Sequence, residues 1–125
     1  MLGHFIAVGF GGALGAMARY GVGIAAVRLF GHGFPVGVLS VNIFGSFLMG
    51  VFVVLAAQRG LTGWSPFVMT GLLGGFTTFS AFSLEAVTLY ERGEPTQAGL
   101  YVGLSVVLSI GGLVLGLLIT RMLTQ

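Results

Sequence analysis

Gly74-Gly75-Phe76-Thr77-Thr78-Phe79-Ser80-Ala81-Phe82-Ser83 sets two glycines, four hydroxyls and three phenylalanines inside an apolar run that extends from Pro66 to Tyr90. A segment in lipid must satisfy every backbone N–H and C=O internally. A stretch that resists a regular helix is therefore tolerated there only where protein or a polar cavity covers it. The motif predicts a membrane span broken partway across, with the break opening on a functional site, and the combination suggests a pore.

Composition agrees with that solvent. Of 125 residues, 56% are hydrophobic and 6% charged, and the mean hydropathy is +1.08, far too apolar for a water-soluble domain of this size. Apolar runs at about 2–30, 36–57, 66–90 and 96–123 each exceed the roughly 20 residues that cross hydrocarbon. Short connections rich in Gly and Pro separate them, Gly31-His32-Gly33-Phe34-Pro35 among them. The reading is an all-α integral membrane protein with one four-helix domain over residues 1–125, the third helix broken mid-membrane. Ala16-Met17-Ala18 superficially resembles a signal-peptidase site, but a basic n-region is missing, so Leu2 onward is read as the first span. Small residues recur four apart at Gly11 and Gly15, Ser46 and Gly50, Gly71 and Gly75, Gly99 and Gly103, and Gly112 and Gly116, the pattern of closely packed membrane helices.

The charges are few. The chain has no Asp, Lys or Cys, and its charged residues are Arg19, Arg28, Arg59, Glu85, Glu91, Arg92, Glu94 and Arg121. Five arginines dispersed along the chain form no basic stripe, which excludes nucleic acid as a partner. Missing cysteines exclude disulfides and thiolate metal sites. Four spans place Arg59 and Arg121 on one side and Arg28 and Arg92 on the other, a tie under the positive-inside rule. A tie predicts insertion in both orientations and assembly as an antiparallel dual-topology homodimer, against the simpler alternative of one orientation.

The third span carries the chemistry. Phe79 and Phe82 are three apart and share a helix face, continued by Ser83 and Ala86. An aromatic ring has a positive edge, so stacked rings can line an anion's route without a fixed positive charge, although such a pair serves equally as packing or as a lipid-facing surface. Thr77, Thr78, Ser80 and Ser83 add hydroxyls that either donate to an anion or bond back to the preceding turn. Asn42 is the single Asn of the chain and lies inside the second span, as an anion donor or as glue between helices. Glu85 is the one acid within a span, either functional, paired with Arg19, or solvated near the interface. A cation is the other possible ligand: where the helix is interrupted, the carbonyls of Gly74 and Thr77 become free acceptors, and two antiparallel chains could bring them together on one hard monovalent ion. Alternatively, Gly74 and Gly75 simply permit close packing.

Gly74 to Ser83, together with Val41-Asn42-Ile43-Phe44-Gly45-Ser46-Phe47 and Gly-Ala-Met-Ala-Arg19-Tyr20, resembles the Fluc (CrcB) family of fluoride ion channels along the whole chain. The resemblance implies an antiparallel homodimer in the cell inner membrane that exports fluoride passively through two pathways, with a structural sodium ion at its centre. By position, it implies that Phe79 and Phe82 line the pore, Asn42 faces the anion, and main-chain carbonyls of Gly74 and Thr77 hold sodium. It also implies a polar track through Ser80, Ser83, Glu85, Tyr101, Ser105 and Ser109, and a structural or electrostatic role for Arg19. The last three track residues recur every four positions and so share a face of span four. Ala81 and Val38 stand where the family more often has hydroxyls.

A small proton-coupled multidrug exporter is the alternative of similar size and topology, but it relies on a membrane-embedded Glu in span one, where this chain has none. An enzyme is excluded by the lack of a nucleophile, base and orienter at any useful spacing, His4 and His32 lying near span ends. A non-conducting scaffold would leave Asn42 and the Thr/Ser/Phe cluster as unexplained costs in lipid.

Overall fold

In the computed structural model, which describes residues 1–125, every regular element is helical and no sheet forms. Helix α1 covers Leu2–Phe30 and α2 covers Val36–Arg59. A short 3₁₀ turn at Thr62–Trp64 leads into α3, residues 66–76, wound as a π-helix over Pro66–Leu73 and as an α-helix over Gly74–Phe76. Helix α4 follows at Phe79–Glu91 and α5 at Pro95–Thr124. Pro66 and Pro95 open their helices, where a missing N–H costs nothing. Gly31, Gly60 and Gly93 take positive φ in the turns between spans.

Four segments are long and apolar enough to cross a membrane: Leu2–Phe30, Val36–Arg59, Thr62–Glu91 and Pro95–Thr124. Only 16 of 125 residues are buried, and large apolar side chains such as Phe5, Phe10, Ile110 and Leu123 lie exposed along the helices. A surface of that kind is stable against acyl chains and unstable against water. This is a multi-pass membrane protein.

Without a hydrophobic drive between helices, close backbone contact holds the bundle together. Helix α1 lies on α3, and a Cβ at Gly75 would come within 2.7 Å of the Gly12 carbonyl, so only glycine permits this approach. Gly11, Gly15 and Gly71 belong to the same seam. Helices α2 and α5 meet at Gly50 and Gly116, where an added Cβ would run into backbone of the facing helix. Gly99 and Gly103 are different, for an added Cβ there meets nothing. Their spacing matches the packed pairs, yet they mark an open face of α5.

Side chains fill one small core near the outer ends of α2, α4 and α5: Phe82, Leu89, Ala98 and Tyr101, flanked by Phe34, Val38, Leu39 and Ala86. The Phe82 and Tyr101 rings sit 5.3 Å apart, and Phe34 meets Tyr101 edge-on at 5.6 Å. Pairs of this kind contribute about 1 kcal/mol each beyond their burial.

Candidate functional site

The interruption between α3 and α4 falls on Thr77 and Thr78, whose backbones are extended. Within the run 74–83 the helix therefore yields at the threonines, while Gly74 and Gly75 are helical and serve the seam with α1. Side chains from other helices take over the hydrogen bonds that a continuous helix would have made. Asn42 Oδ1 accepts the Thr78 N–H at 2.8 Å, and Asn42 Nδ2 donates to the Thr78 carbonyl at 3.0 Å. The amide thus pairs with the extended residue as a neighbouring strand would. Arg19 Nε donates to the Gly75 carbonyl at 3.1 Å, in place of the backbone N–H that the next turn would have supplied. Thr78 Oγ1 caps α4 by accepting from the Ala81 N–H at 3.1 Å.

These bonds leave acceptors behind. The Thr78 N–H would close on Gly74 in a regular helix but is engaged by Asn42. The Thr77 N–H closes on Leu73, while the Thr77 carbonyl receives no donor from the chain. Gly74 and Thr77 therefore present main-chain oxygens at the break, the donor type that suits a hard monovalent cation.

Beside the break lies a cleft of about 310 Å³ whose lining includes Asn42, Ser46, Thr77, Thr78, Phe79, Phe82, Ser105 and Ser109. Phe79 and Phe82 stand 5.4 Å apart edge to face, Phe82 buried and Phe79 78% exposed. Behind Phe82, the hydroxyls of Tyr101, Ser105 and Ser109 are buried and have no hydrogen-bond partner. Serine in a helix commonly bonds back to the carbonyl one turn earlier. Ser83, Thr88 and Thr124 do so, to Phe79, Leu84 and Thr120, whereas Ser105 and Ser109 do not. From Tyr101 to Ser109 the row rises about 12 Å along the axis of α5. Orphaned hydroxyls at that depth cost about 1–3 kcal/mol each. A ligand that accepts hydrogen bonds would recover the loss.

The structure thus brings Asn42, Phe79, Phe82, Ser105 and Ser109 to one cleft, with Tyr101 adjoining. Ser80 is exposed and lies 3.3 Å from Thr78 Oγ1, while exposed Ser83 donates to Phe79. Glu85 opens into a different cleft with His32 and Arg92, and Arg19 bonds Gly75 rather than Glu85. Val38 and Ala81 both line the cleft beside Arg19. Sequence reasoning assigned no site role to Ser46 and weighed Thr78 only for its hydroxyl, not for the backbone that Asn42 holds. The four-residue interval from Asn42 to Ser46 was the available signal for the first; the clamp on Thr78 has none, since its partner is 36 residues away.

Residues 6–117 match the family described as CrcB-like protein, Camphor Resistance (CrcB). A fluoride-specific ion channel FluC of Ruegeria sp. (strain TM1040) is 64% identical over 122 residues, covering 97% of both chains. The protein of the same name from Roseobacter denitrificans is 63% identical over 118 residues, covering 93% of this chain and 94% of its own. That of Cereibacter sphaeroides (strain ATCC 17029 / ATH 2.4.9) is 58% identical over 121 residues, covering 97% of both. With a match across nearly its whole length and relatives this similar, the chain belongs to the CrcB family.

Proposed function

We propose that the protein is a fluoride-selective channel that lets the anion leave the cytoplasm passively across the inner membrane. The observation that carries this reading is the row of buried, unpartnered hydroxyls at Tyr101, Ser105 and Ser109 beside the Phe79–Phe82 pair. Neutral donors and ring edges hold an anion well enough to offset part of its dehydration and weakly enough to release it. A fixed cation among them would trap a small, strongly hydrated ion. The relatives are named as fluoride-specific channels, and the exporter alternative finds no support in the family or in the first span.

Two copies running antiparallel complete the proposal. The tie in arginines between the two sides supports dual insertion. Phe79, so exposed on a single chain, gains cover when it enters the pathway of a partner subunit. The interrupted third span lies at the centre of such a dimer, and the Gly74 and Thr77 carbonyls of both copies would hold a sodium ion. Bound there, sodium would offset the converging carbonyl dipoles and tie the copies together. Asn42 and Arg19 keep the break open, Asn42 retaining one N–H for the anion.

Efflux from liposomes containing purified protein, read with a fluoride electrode and with chloride as control anion, tests the reading. Rapid release of fluoride alone, without a proton gradient, is the expected outcome. Folded protein that releases fluoride only when a proton gradient is imposed would replace the channel by a coupled exporter.

A further inference from the structure

Tyr101 forms the outer end of the orphaned hydroxyl row, and Phe34 packs edge-on against its ring. Phe34 also lines a second cleft, of about 380 Å³, between the Gly31–Pro35 connection and the outer half of α4. Phe34 thus touches both the ring of Tyr101 and this cleft. The cleft's charged or titratable side chains are His32, Glu85 and Arg92. Glu85 and Arg92 are seven apart on and just beyond α4 and share its face, while positive φ at Gly31 turns the chain into the connection that carries His32. None of the three side chains has a hydrogen-bond partner within the chain, and the Thr88 hydroxyl beside them is taken by Leu84.

We infer that this cleft is an outer anion site, in which Arg92, assisted by His32, gathers a small monovalent anion at the mouth of the row and Glu85 shortens its stay. The inference rests on the channel reading above. Cations placed in water at a mouth raise the local anion concentration and the rate of arrival without the tight hold that a buried cation would exert. Such steering works over about one Debye length, roughly 10 Å at 0.1 M salt, and fades as salt rises. Arg92 is suited to the task because it is exposed and anchored, its backbone N–H closing α4 on the Thr88 carbonyl at 3.0 Å.

The test is initial fluoride efflux at low fluoride concentration from zwitterionic liposomes, compared at low and high ionic strength. Arg92→Gln is expected to slow efflux about threefold to tenfold at ionic strength near 0.01 M, with the gap closing toward 1 M as the Debye length falls to about 3 Å. All variants are purified and reconstituted at matched content of folded dimer, so that a shift in the balance of arginines does not enter the rate; Arg92→Lys should then restore the low-salt rate, and Arg59→Gln, the same charge change outside the cleft, should leave it unaltered. Equal efflux from wild type and Arg92→Gln at low salt would overturn the site while leaving the channel standing. So would a loss that persists undiminished at high salt, or an equal loss in Arg59→Gln. No fluoride efflux from the folded wild type would overturn the channel and this site together.

Discussion

Ser105 and Ser109 could each satisfy a hydroxyl by bonding back one turn, as Ser83 does, and neither does so. Removing an unsatisfied group costs the fold little, so Ser105→Ala and Ser109→Ala are expected to keep or slightly raise the thermal midpoint in detergent. Each should nonetheless lower fluoride efflux about tenfold, the factor that corresponds to about 1.4 kcal/mol of lost anion stabilisation. Unchanged efflux would remove the row from the pathway. The two rings differ in the same way. Phe82 belongs to the core and touches Tyr101, whereas Phe79 is largely exposed on the single chain. Phe82→Ile should therefore lose both stability, by about 1 kcal/mol, and flux, while Phe79→Ile loses flux with the monomer fold unaffected. Melting curves read beside efflux separate the two effects. Of these residues, Tyr101, Ser105 and Ser109 were legible as one face from their spacing, but their lack of partners was not, because only packing decides which groups a hydroxyl can reach.

At the scale of elements, α3 and α4 are joined by two extended residues whose backbone is served from outside. Asn42 of α2 supplies both bonds to Thr78, and Arg19 of α1 supplies one to Gly75 across 56 positions. Local pattern marked the run 74–83 without saying which residues yield, and by propensity alone the glycines are its weakest helix formers. In the folded chain the threonines yield instead, for Gly74 and Gly75 are kept helical by the seam with α1. That seam is testable. Gly75→Ala brings a Cβ against the Gly12 carbonyl, so α1 and α3 must separate, which is expected to destabilise by about 1–3 kcal/mol despite the better helix propensity of alanine. Gly99→Ala, with nothing nearby in the chain, should gain up to about 1 kcal/mol or remain neutral. Comparison of the two midpoints checks this; an equally stable Gly75→Ala would show that the seam is looser than its geometry.

For the whole molecule, exposed apolar surface and balanced arginines set the terms. A reporter fused to the C-terminus is expected to appear on both sides of the membrane, and adding two Lys to the 60–61 connection should bias it to one side and reduce fluoride efflux by starving the proposed dimer of one orientation. A one-sided reporter in the unmodified chain would refute dual insertion. Four spans were legible because crossing hydrocarbon imposes a length and an apolarity that few other structures need. Glu85 was less legible: the resemblance implies a place on the track, and only the bundle sets it in one cleft with His32 and Arg92.

The sequence by itself determined that this chain belongs in a membrane, is helical and has four segments long and apolar enough to cross it, since each follows from the local demand that lipid makes on backbone and side chains. Only the tertiary structure decided where the helix yields, which amide and guanidinium replace its lost bonds, which small-residue pairs are seams, and which hydroxyls are left without partners. Those outcomes depend on donors and backbones brought together from distant positions of the chain, and no local pattern encodes which of them will meet.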